Sequence, residues 1–102
     1  MTNTKKRKTP AEVANILAKI YEKQFGGKDR GRFQISREGL REISGKKRLE
    51  DPIIAETINE SYERGFVVTD LGEDFSVIEE SVMRNYRKVP KQIIGEFSPK
   101  GR

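Results

Sequence analysis

Cysteine and histidine are both absent from the 102 residues. Without cysteine there can be no disulfides, thiolate metal sites or cysteine nucleophiles. Without histidine the chain lacks the commonest general base and the commonest metal ligand. No apolar run approaches the roughly 18 residues that a helical membrane span requires. The basic stretch Met1–Pro10 has no apolar segment behind it, so a secretory signal is not expected. Apolar residues are also scarce, at 33% against 36% charged. Leu, Ile, Val and Phe still make up about a quarter of the chain, above the roughly 20% below which disorder is the default. The expectation is one small-cored, soluble, cytoplasmic domain, associated with the nucleoid if the source is bacterial.

Chemistry is as sparse as these absences suggest. Asp70, Glu73 and Asp74 cluster, but without the alternating oxygen-ligand spacing of an EF-hand loop. No Asp/Glu-x-Lys occurs, so a common nuclease arrangement is missing. Gly27-Lys28 and Gly45-Lys46 lack the second glycine and following Ser/Thr of a phosphate loop. No nucleophile–base pair can be assembled, and neither an enzyme nor a cofactor is expected.

What the chain does have is charge, unevenly placed. The net charge is +5. Residues 1–50 carry 14 Lys/Arg against six Asp/Glu, and residues 51–80 carry only Arg64 against nine acids. Residues 81–102 carry six bases against Glu96. A surface segregated in this way can attract a polyanion with one face and repel it with another. The same pattern would also arise if the segments simply fold against each other and offset their charges.

Local signals divide the chain into elements. Residues 1–8 read as a disordered basic arm, 9–90 as one domain and 91–102 as a flexible tail. Thr9-Pro10-Ala11-Glu12 is a capping box with proline at the first helical position. Val13, Ile16, Leu17, Ile20 and Phe25 continue it as a helix ended by Gly26-Gly27. Arg32–Ser36 alternates as a short strand, and Ser36 can cap a helix over Arg37–Ser44 that Gly45 stops. Asp51-Pro52 opens a third helix to Arg64, with Ile54, Ile58 and Ser61/Tyr62 inward and Glu56, Thr57, Asn59, Glu60 and Glu63 outward. Phe66–Thr69 and Phe75–Ile78 suit a hairpin around a glycine-bearing loop. A short fourth helix through Val82, Met83, Tyr86 and Val89 should end at Pro90. Tyr21, Tyr62 and Tyr86 read as core or rim residues.

The order helix, strand, helix, helix, two-stranded hairpin resembles a winged helix-turn-helix domain. Its core is similar to the stretch Ser36–Val68 (SREGLREISGKKRLEDPIIAETINESYERGFVV). The pattern also resembles small DNA-binding proteins carried by plasmids and phages. The resemblance implies an α+β, mainly helical fold that binds double-stranded DNA, as a repressor or a mobile-element accessory protein. Two departures stand out: the turn at Gly45–Asp51 is longer than usual, and the helix that would lie in the major groove is acidic. Glutamates there oppose the flanking phosphates.

The basic groups lie elsewhere. Lys46, Lys47 and Arg48 sit near the start of the third helix, where its dipole also favours an anion. Arg37 and Arg41 are one helical turn apart. The arm Lys5, Lys6, Arg7 and Lys8, and the loop with Lys28, Arg30 and Arg32, could follow a phosphate backbone. Base reading would fall to Thr57, Asn59 or DNA shape. Three alternatives stay open: a protein-interaction module or inhibitor docking through the acidic residues 51–80, RNA binding by the same basic surface, and a homodimer.

Overall fold

The computed structural model describes residues 7–99, and Lys5 and Lys6 of the expected arm lie outside them. The chain is α+β, with five helices and one three-stranded antiparallel sheet among the described residues. In chain order the elements are α1 (Pro10–Tyr21), β1 (Phe33–Ser36), α2 (Arg37–Ser44), α3 (Asp51–Glu63), β2 (Phe66–Asp70), β3 (Asp74–Glu79), α4 (Glu80–Met83) and α5 (Lys91–Phe97).

Helix α1 begins as its sequence dictates. The Thr9 hydroxyl accepts from the Glu12 amide at 3.1 Å, and the Glu12 carboxylate accepts from the Thr9 amide at 2.9 Å. The helix ends at Tyr21, earlier than the expected stop at Gly26-Gly27. The amides of Glu22 and Lys23 turn to carbonyls three residues back, tightening the last turn. The two glycines have a different job. Phe25 and Lys28 exchange both backbone hydrogen bonds at 3.0 Å around Gly26 (φ 60°) and Gly27 (φ 81°). Positive φ at both central residues is what a two-residue type I′ turn demands, and glycine adopts it without strain.

Helix α2 matches its expected bounds, with the Ser36 hydroxyl capping the Gly39 amide and Gly45 left-handed at φ 72°. Helix α3 starts one residue off the expected cap. Glu50 occupies the cap position with no side-chain bond, and Asp51 and Pro52 are already helical. The strands pair as β1-β3-β2, with Phe33 opposite Val77 and Val68 opposite Val77 on its other side.

The core lies where α1 and α3 pack on the sheet. Val13, Leu17 and Tyr21 of α1 meet Phe33, Val68, Phe75 and Val77 of the strands, with Leu40 and Ile54 closing the sides. Tyr21 is a core aromatic, its ring 5.0 Å from Phe66 and 6.3 Å from Phe33. Tyr62 and Tyr86 are instead exposed.

Helix α3 is rotated relative to its expected inward face. Ile54, Thr57 and Ser61 are the buried residues, while Ile58 is only half-buried at the margin. Thr57 tolerates this because its hydroxyl donates to the Ile53 carbonyl at 2.8 Å. Ser61 Oγ, also buried, has no partner among the described residues.

The C-terminal region departs most from expectation. The fourth helix is a single turn, after which the amides of Asn85 and Tyr86 bond three residues back and Pro90 bars continuation. Lys91–Phe97, expected as tail, forms helix α5 and buries none of its residues. Among the described residues no helix is long and apolar enough to cross a membrane.

Candidate nucleic-acid interface

The turn between α2 and α3 is held by a small lattice of hydrogen bonds. The Ser44 side chain is buried, and its hydroxyl donates to the Arg41 carbonyl at 2.7 Å while accepting the Lys46 amide at 3.1 Å. Arg41 Nη1 donates to the Lys46 carbonyl at 2.8 Å. Lys46 is thereby gripped at both its backbone groups. Glu38 steadies the grip by accepting from Arg41 Nε and Nη2, a bidentate pair. That pairing holds the Glu38 carboxyl below its usual pKa and raises Arg41. Leu49, packed on the edge of the core, anchors the far end of the turn.

The basic arm arrives at the same place. The Lys8 amide donates to the Ser44 carbonyl at 2.8 Å, fixing the chain beside the end of α2. Arg7, Lys46, Lys47 and Arg48 then line one concave surface of about 270 Å³, together with Glu50 and Ile53. None of these four cations takes part in an ion pair within 4.0 Å among the described residues. Lys47, Arg48 and Arg7 are exposed, and Lys46 is half-buried.

The other expected contacts are placed differently. Arg37 crosses to the hairpin: its Nη2 reaches Asp70 at 2.6 Å, its Nε reaches the Gly72 carbonyl at 2.6 Å, and its guanidinium lies 4.7 Å above the Phe75 ring. Asp70 also accepts the Gly72 amide, and this bond together with Arg37 holds its carboxyl below the usual range. Arg30 forms a bidentate pair with Glu22 at 2.7 Å, approaches Glu79 at 3.5 Å and covers the Tyr21 ring at 5.1 Å. The pair raises Arg30 and lowers Glu22. Arg32 is exposed and lines a separate concavity with Lys23, Phe25 and Lys28. Arg7 and the turn therefore share one surface, and the loop around Lys28 faces another.

No family model, curated protein or solved structure matches the chain. What the geometry offers must be read from the residues themselves.

Thr57, expected on the reading face, is buried in α3 and its hydroxyl is committed to Ile53, so it can contact no base. Asn59 is exposed, between the exposed Glu56 and Glu63. Glu60 belongs to a structural pair: Arg64 donates to its carboxylate at 2.8 Å and to its carbonyl at 2.7 Å, and reaches Asn15 of α1 at 2.6 Å. Among the described residues no three acidic side chains group closely enough to hold an ion.

The buttressing of the turn by Arg41, Glu38 and Ser44 was not expected from the sequence. The one available signal was Glu38 three residues before Arg41, a spacing that brings the two side chains together on a helix.

Proposed function

We propose that the protein binds double-stranded DNA through phosphate contacts from Arg7, Lys46, Lys47 and Arg48. The supporting observation is that these four cations share one concave surface with a single acid, Glu50, and form no ion pair among the described residues, whereas the neighbouring Arg37 and Arg41 are each paired with a carboxylate. Phosphate binding by Lys and Arg releases counterions, and it is strongest where no internal acid competes for the charge.

The domain type fits this use. The order α1-β1-α2-α3-β2-β3 and the sheet order β1-β3-β2 are compatible with a winged helix-turn-helix domain. The docking mode is not the usual one. Glu56 and Glu63 line the outward face of α3, and Asp70 and Glu73 are exposed at the hairpin tip, so neither element suits a phosphate-lined groove. The protein approaches DNA with the α2–α3 turn and the arm foremost. Asn59, flanked by glutamates, is kept from the base edges, and recognition rests on the shape and deformability of the duplex. Such a protein serves as a repressor or an accessory factor of a mobile element.

Binding to duplex DNA, followed by gel shift across salt concentration, tests the assignment. Four neutralised phosphates per protomer correspond to a log–log slope of roughly −3 to −4. Changing Lys46, Lys47 and Arg48 together to Ala should weaken every sequence alike and flatten that slope by about 2–3 units. An unchanged slope in the triple variant removes the turn from the interface.

A further inference from the structure

Helix α5 is too short to hold itself together. It has seven residues, no side-chain cap at its N-terminus and Gly95 in its interior. Isolated helices shorter than about 12–15 residues are marginal in water, and an internal glycine weakens them further. Such a helix persists when its apolar side packs on something. Among the described residues α5 has no such support, since it buries no residue and packs substantially against no other element.

Its apolar side is nevertheless well developed. Ile93, Ile94 and Phe97 are all exposed, Phe97 to 82%, and Val89 just before the helix is exposed as well. The described chain is correspondingly drawn out, 68 Å along its longest axis with a radius of gyration of 17.5 Å. A compact domain of 100 residues has a radius near 13 Å. Cations accompany the apolar residues: Arg87, Lys88 and Lys91 are all exposed.

A surface of opposite charge lies on α3. Ala55, Asn59 and Tyr62, at helical spacing, form an exposed row on its outward side, and Glu56 and Glu63 flank that row. Neither glutamate has a cationic partner within 4.0 Å among the described residues. The cations Arg87, Lys88 and Lys91, which lead into α5, complement the acidic α3 in charge, Glu96 being the single acid of α5 itself.

We infer that two copies of this chain pair reciprocally, α5 of each copy lying along the outward face of α3 of the other. The two-fold arrangement makes each contact twice and closes on itself. It also accounts for an acidic α3, because this face meets protein and not DNA. The pairing is measured without nucleic acid, so it stands or falls separately from the DNA reading.

Sedimentation equilibrium of the full chain should give about twice the protomer mass of 11.7 kDa at micromolar concentration. Ile94→Asp with Phe97→Ser should raise the dissociation constant roughly tenfold or more, with the thermal melt of the domain retained. A charge exchange then locates the contact. Glu56→Lys with Glu63→Lys should dissociate the dimer, and so should Arg87→Glu with Lys91→Glu. Mixing these two proteins should restore dimers, because in the mixed pair both seats again join opposite charges. A protomer mass at every concentration overturns the inference. So does a dimer that survives either substitution set, or a mixture that fails to pair.

Discussion

Two groups of cations, close in sequence, meet opposite fates in this fold. Arg30, Arg37 and Arg41 each sit against a carboxylate, and Arg30 and Arg37 also cover an aromatic ring. Arg7, Lys46, Lys47 and Arg48 face a shared concavity and form no ion pair among the described residues. Composition counts all of them equally as positive charge. The difference lies in whether an acid stands within reach and whether the side chain is a planar fork that can grip it from two sides. A net charge thus overstates how much of the basic surface remains for a ligand.

The contrast breaks first at the core. Phe75 is almost fully buried and carries the Arg37 guanidinium on its ring. Phe75→Ala should cost about 3–5 kcal/mol in a denaturant melt. It should also make a further Arg37→Ala cost less than it does in the unaltered protein, because the ring contact is already gone while the bonds to Asp70 and Gly72 remain. If the two losses simply add, the Arg37 guanidinium draws no stability from the Phe75 ring and is held by Asp70 and Gly72 alone.

Arg41 sharpens the comparison next, because it belongs to the paired group yet grips the Lys46 carbonyl, supporting the turn without lining its concavity. Arg41→Ala should weaken DNA binding by loosening the Lys46 backbone while leaving the salt slope unaltered. A direct phosphate contact would instead lower the slope by about one unit.

The smallest effect is electrostatic. Asp70 is held below its ordinary pKa by the Gly72 amide and Arg37, so its ionised form favours the native state. That contribution is complete above the unfolded value near pH 4 and is lost as pH falls through the native one. Asp70→Asn should therefore melt slightly below the unaltered protein at neutral pH, and the gap should close in strong acid. A gap independent of pH would show that the carboxylate charge plays no part.

Much of the local structure was legible because its signals are short-range. The Thr9–Glu12 capping box, the Ser36 cap and Gly45 act within one helical turn, and each sits where its residue type requires. The errors came where a residue type has two uses. Gly26-Gly27 serves equally as a helix stop and as a type I′ turn, and only the return of the chain to Tyr21, through the Gly31 amide, decides between them. Thr57 and Ile58 are neighbours on α3, and a modest rotation of the helix exchanged their burial. The pairing of Arg37 with Asp70 spans two elements distant in sequence, and no local pattern announces it. At the candidate interface the cations Lys46, Lys47 and Arg48 could be named from the sequence. The union of Arg7 with them could not, because it depends on the Lys8–Ser44 hydrogen bond.

That one backbone bond has a consequence for avidity. Lys8 is pinned to the end of α2, and Arg7 is the next residue out. In the proposed complex, once the turn holds one phosphate, Arg7 need not search for the polymer. It is delivered to the adjoining phosphate at an effective concentration on the order of millimolar, as expected for groups joined by a very short tether.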